Sequence, residues 1–224
     1  MQDILEKYGS LLREVDNWFT ICLRQYPDKI NCQQGCSACC RGLFDITLMD
    51  AVYLKSGFDK LSGDLKSFIL SKSEARLNAI SRIYPDFDQP WLLNSISETD
   101  WELIMPEDDE IPCVLLSETG RCQAYEYRPM TCRLNGIPMI DISGEELFNE
   151  WCSLNFVNVD PLLIEELRFN FNELFAQELL LFRELSKRLI GRSINEIDTV
   201  IPAALLVDLE SVINQIKQQE LQCN

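Results

Sequence analysis

Cys32-Gln33-Gln34-Gly35-Cys36-Ser37-Ala38-Cys39-Cys40 places four cysteines within nine residues. Their offsets are 0, 4, 7 and 8. On a helix these positions fall within an arc of about 100°, so all four could face one site. Gly35 makes a loop leading into a helix equally plausible, with first-turn amides helping to hold thiolate charge. Cys39 and Cys40 diverge as neighbours do. They need not bind one ion: one of them either ligates a second metal or sits in the core as a small hydrophobe. A disulfide between them would be strained.

The rest of the chain says why those thiols are there. At 224 residues it is long enough to bury a core without covalent staples. The N-terminus, Met1-Gln2-Asp3-Ile4-Leu5-Glu6-Lys7, has neither the basic start nor the apolar run of a secretory leader. No apolar stretch approaches a membrane span: Leu179-Leu180-Leu181-Phe182 is broken at once by Arg183 and Glu184. The expectation is a cytoplasmic protein, where thiols stay reduced. Ten cysteines there point to metal or redox chemistry. Histidine is absent, which excludes Ser-His-Asp and Cys-His catalysis and imidazole ligation. The net charge of −16, from 36 acidic and 20 basic residues, argues against phosphate-backbone binding. We therefore expect no nucleic acid and no membrane as partners, leaving room for a protein or peptide.

Working outward, residues 3 to 25 have the apolar spacing of a helix, with Leu5, Tyr8, Leu12, Val15, Phe19 and Cys22 on one face. Thr47 and Asp50 form a capping-box pattern, starting a helix that Gly57 ends. Another helix covers about 60 to 82. Residues 84 to 112, with four prolines and the acidic run Glu107-Asp108-Asp109-Glu110, read as a loop-rich connector tucked in by Trp91 and Trp101. Residues 113 to 142 read as a small β element with a turn at Ser117-Glu118-Thr119-Gly120. Asp160 and Pro161 predict the start of a helix that runs to about Leu189 and is closed by Gly191. Ser193 and Glu196 are a second capping-box candidate, and a last helix spans roughly 203 to 220. The expected fold is mainly α, with a small irregular or β cysteine knuckle and helices packed around a thiolate metal centre. It forms one domain, 1–224: an N-terminal helix (1–27), a metal-binding region (28–158) and a C-terminal helical region (159–224).

The knuckle carries Cys113, Cys122 and Cys132, and Cys152 follows. With Cys32, Cys36, Cys39 and Cys40 these are the candidate metal ligands. Bringing Cys40 to Cys113 closes a loop of about 70 residues, costing several kcal/mol. Structural zinc returns about 10 kcal/mol or more, so the metal wins. Cys22, on an apolar helix face, and Cys223, near the C-terminus, read as bystanders.

The first cluster, together with Cys113-Val114-Leu115-Leu116, Gly120-Arg121-Cys122 and Tyr125-Glu126-Tyr127-Arg128-Pro129-Met130-Thr131-Cys132-Arg133, resembles the YkgJ-like CxxxCxxCC cysteine-cluster family. Val114 departs from that family's usual proline. The resemblance covers about 30 to 152 and implies a zinc- or iron-chelating protein, often labelled an iron–sulfur protein. A similar cluster in flagellin lysine methylases implies an iron–sulfur centre there. The resemblance carries the same cysteines over as ligands and adds Arg128 and Arg133. Guanidinium groups beside a thiolate centre offset charge and donate to sulfur; alternatively, Arg128 pairs with carboxylates. Tyr125 is expected to pack the knuckle.

Eight thiolates accommodate two zinc ions or an iron–sulfur cluster, and soft ligation suits both. Three functions follow. The first is a metal-binding protein whose centre is chiefly structural or redox-linked. The second is a methyltransferase-like or other enzyme, for which a carboxylate or tyrosine beside the metal in an open pocket would speak. The third is a metal chaperone or store. The first asks for nothing the sequence lacks: there is no glycine-rich cofactor loop before a helix and no histidine base.

Overall fold

A computed structural model describes residues 1–222 apart from Gln34 and Glu107; Cys223 lies outside the described residues. The chain is 53% helical, with two small two-stranded antiparallel sheets. The mainly α architecture with an irregular knuckle is therefore the observed one.

Helix α1 (Gln2–Gln25) buries Ile4, Tyr8, Leu11, Leu12, Val15, Trp18 and Cys22; Tyr8, Leu12, Val15 and Cys22 are on the predicted face, whereas Leu5 and Phe19 are only partly buried. Strand β1 (Asp45–Thr47) leads straight into α2 (Leu48–Phe58). The Thr47 hydroxyl accepts the Asp50 N–H at 3.2 Å, half of the predicted capping box. The Asp50 carboxylate does not reach back; it serves the core instead. Gly57 lies inside α2 and does not end it. A Cβ there would stand 2.1 Å from the Tyr127 ring, so its lack of a side chain lets the knuckle approach the helix.

Helix α3 (Gly63–Ile83) follows. The connector after it is less irregular than expected: it contains a 3₁₀ turn (Leu93–Ser95) and α4 (Glu98–Ile104). Its aromatic residues do tuck it in, since Trp91 and Trp101 pack against a minor core of Leu77, Ile80, Phe87, Leu93, Ile104, Val200 and Ala203.

Beyond the knuckle come α5 (Met130–Leu134), β2 (Met139–Ile140) and β3 (Glu146–Phe148). Asp160 caps as predicted, accepting the Leu162 N–H at 3.0 Å, but only a 3₁₀ turn (Pro161–Leu163) follows. A second 3₁₀ turn (Glu165–Leu167) intervenes, and α6 runs Phe171–Ile190. The reason is tertiary. The Leu167 carbonyl accepts the Trp18 indole N–H at 2.9 Å, and the Phe169 N–H donates to Ile140 at 3.1 Å, so this backbone is committed to neighbours.

Gly191 closes α6 in the left-handed conformation, φ 83°. The Ser193–Glu196 pattern starts no helix. The Ile194 N–H goes to the Ser186 hydroxyl at 3.1 Å, and residues 198–200 form β4 (Asp198–Val200), paired antiparallel to β1. The final helical stretch is two helices, α7 (Ile201–Leu206) and α8 (Leu209–Gln222). Asp208 at the break takes the Ser211 N–H at 2.9 Å. Among the described residues no helix is long and apolar enough to cross a membrane.

Candidate metal centre

The first cluster forms consecutive turns, neither a helix nor a loop feeding one. Cys36 N–H donates to the Gln33 carbonyl at 2.9 Å and Cys40 N–H to Ser37 at 3.1 Å. Gly35 supplies the left-handed step, φ 97°. The long loop is then closed directly: Cys113 N–H donates to the Cys40 carbonyl, and Gly42 N–H to Ile111, both at 2.9 Å.

The knuckle is an irregular hairpin. Ser117 N–H reaches the Arg121 carbonyl and Gln123 N–H the Leu115 carbonyl, both at 2.9 Å. Its turn glycine, Gly120, packs on the first cluster; a Cβ there would meet the Gly35 carbonyl at 3.2 Å. Lys72 of α3 secures the hairpin by donating to the Val114 carbonyl at 3.0 Å. The short α5 presents Cys132. Its first N–H, that of Met130, is held by Asp50 Oδ1 at 2.9 Å.

These elements enclose a cavity of about 270 Å³ lined by Cys32, Cys36, Cys39, Cys40, Cys113, Cys122 and Cys132. That is roughly twenty times the space one water needs, about 10–15 Å³. Seven of the eight candidate ligands thus face one space. Cys152 is not among the lining residues, although charge on it would disfavour ionising Cys32. The seven thiols are half-buried. Among the described residues, no three Cys, Asp or Glu side chains stand as a ready metal cage. The sulfurs ring the cavity and do not meet at one point.

Burial makes four of these thiols reluctant to ionise. It pushes Cys113 up to about 11, and it raises Cys32, Cys122 and Cys132. Cys39 is raised first by its hydrogen bond with Cys40, then by burial. Mutual charge adds to this in two sets. Cys32 feels Cys152, Cys36 and Cys39; Cys132 feels Cys113, Cys122 and Cys39. Such a set becomes thiolate only with a cation to offset the charge. By donor type, room and electrostatics, these residues fit a thiophilic ion or cluster. Cys22 is different: it is fully buried in α1, and desolvation pushes it up to about 12.

Arg128 and Arg133 also line the cavity, and both pair with Asp16 of α1. Arg128 reaches Asp16 Oδ1 at 2.6 Å, and Arg133 bonds Oδ2. Of the two readings of Arg128, the carboxylate pairing is the one seen. Arg133 is 4% exposed and also donates to the carbonyls of Arg128 and Glu126 at 3.0 and 2.8 Å. Tyr125 packs under Arg128, 4.1 Å from ring centre to guanidinium. Sequence reasoning missed Asp16, Lys72 and Asn155, since isolated polar residues carry no spacing signal, and it read Asp50 only as a cap.

A cavity walled by thiols from two turn-rich blocks defines a cysteine-cluster, metal-chelating class of protein. The model of the CxxCxxCC family, described as a "putative zinc- or iron-chelating domain", matches residues 31–153. The chain belongs to this family. No curated protein and no solved structure matches the chain.

Proposed function

We propose that this protein holds zinc or an iron–sulfur cluster through cysteine thiolates, and that the centre chiefly ties the chain together. The observation that carries this is the single cavity lined by seven cysteines from two blocks far apart in sequence. The ligands are drawn from Cys32, Cys36, Cys39, Cys40, Cys113, Cys122, Cys132 and Cys152. Cys39 bears on the charge of both Cys32 and Cys132, which otherwise feel different neighbours, and Cys40 falls in neither group. Two ions, or one cluster with a satellite ligand set, accommodate that division. Arg128 and Arg133 offset thiolate charge.

An enzyme is the second reading. One observation favours it: Asp16 and Tyr125 line the same cavity. Asp16 is spoken for by two guanidiniums, so it is not a free base, and the structural centre remains the better account. The test is elemental analysis of protein purified without oxygen. Stoichiometric zinc or iron is expected, and folded protein free of both contradicts the proposal. A small molecule captured in the cavity of metal-loaded protein would favour the enzyme.

A further inference from the structure

Asn155 lies two residues beyond the family match and is 1% exposed. Its Oδ1 accepts the Asn31 N–H at 2.8 Å. That fixes which end of the amide is nitrogen. Nδ2 then donates to the Gly136 carbonyl at 2.7 Å and to Cys32 Sγ at 3.2 Å. Both N–H donors of the amide are thereby used, one of them on sulfur.

The surroundings hold this geometry. Asn155 N–H donates to the Cys152 carbonyl at 2.8 Å, and Phe156 N–H to Lys29 at 2.7 Å. Asn31 Nδ2 donates to the Leu154 carbonyl. The chain before Cys32 is therefore fastened to the chain after Cys152. Gly136 completes the cradle in a left-handed conformation, φ 110°. A Cβ there would stand 3.0 Å from Cys32 Sγ and 3.3 Å from Asn155 Nδ2.

We propose that Asn155 is a positioning residue of the metal centre, fixing Cys32 Sγ and donating an N–H to that sulfur when it is a metal-bound thiolate. This rests on the metal-centre reading above. A thiol sulfur is a weak acceptor, and a thiolate a charge-assisted one. The contact therefore strengthens when metal binds. Donors of this kind orient a ligand and tune the metal, and their loss costs about 10–100-fold in affinity. The same amide ties Cys32 to the turn that carries Cys152.

The test uses the full chain in two measurements. In the first, wild-type protein is loaded with cadmium-113 and its side-chain amides are followed by NMR. The expected result is scalar coupling between an Asn155 amide proton and the metal, transmitted through the N–H···S contact. No coupling overturns the proposal. The second compares Asn155→Ala with wild type. Alanine removes both donors without adding a charge, and it also gives up the acceptor for Asn31. Cobalt(II) should bind about 10–100-fold more weakly, with its sulfur-to-metal charge-transfer band moved to longer wavelength. An unchanged affinity and band overturn the proposal while leaving the metal reading intact. Wild-type protein that takes up neither cadmium nor cobalt, and carries neither zinc nor iron as purified, overturns both. If the variant does not fold, the wild-type measurement decides.

Discussion

Tyr8 carries one hydroxyl proton and faces two carboxylates. It donates to Asp50 Oδ1 at 2.7 Å and lies 3.3 Å from Glu178 Oε1. Asp50, also held by the Met130 N–H, keeps its charge more readily: burial pushes it up to about 6. Burial, and then the charge of Asp50, push Glu178 up to about 8, with Asp198 adding to the effect. The folded protein thus keeps a proton on Glu178 that the unfolded chain releases near pH 4.3. Its contribution is complete at low pH and is lost as pH rises toward about 8. Glu178→Gln cannot ionise, so its unfolding free energy in urea should gain on that of wild type as pH rises, by about 1–3 kcal/mol between roughly pH 5 and 8. A gap independent of pH contradicts this. Gly57→Ala would ordinarily favour a helix. Here the Tyr127 ring occupies the space, and we expect a loss of about 1–3 kcal/mol in denaturant melts. Two cysteines separate packing from chemistry. Cys36→Ser should lower metal content, whereas Cys22→Ser should lower stability by about 1–3 kcal/mol and leave metal content unchanged. The cysteine cluster could be read from sequence because four thiols in nine residues is a pattern. Asn155, Lys72 and Asp16 could not, because each acts through a partner more than 40 residues away.

At the level of elements, α1 does more than supply core. It carries Asp16 to the cavity wall, where one carboxylate holds Arg128 and Arg133. Asp16→Ala leaves Arg133, 3% exposed at its side chain, without its counter-charge. The carboxylate itself is one-third exposed, so the expected loss is discounted to about 2–3 kcal/mol, measured by urea denaturation. Asp16→Glu should restore part of it, and an Ala variant as stable as wild type contradicts this role. Helix α1 and the start of α2 were legible from apolar spacing and a capping hydroxyl, because both signals are local. The stretches 160–170 and 191–200 were not. There the backbone pairs with Trp18, β2 and β1, and such distant pairings override good local helix signals.

At the scale of the whole molecule, two turn-rich blocks separated by a helical region meet at one cavity through the Cys40–Cys113 backbone bond. The C-terminal strand β4 joins β1 just after the first cluster. A metal at the cavity would therefore tie together regions spread along the chain. Removing it with a chelator under reducing conditions should lower the melting temperature by about 10 °C or more, reversed by adding the metal back. The most direct test of that account is the metal content and visible absorption of protein prepared anaerobically. The account predicts near-stoichiometric zinc with no visible band, or iron with sulfide and thiolate charge-transfer absorption. Folded protein, with its thiols reduced and neither metal bound, would contradict it.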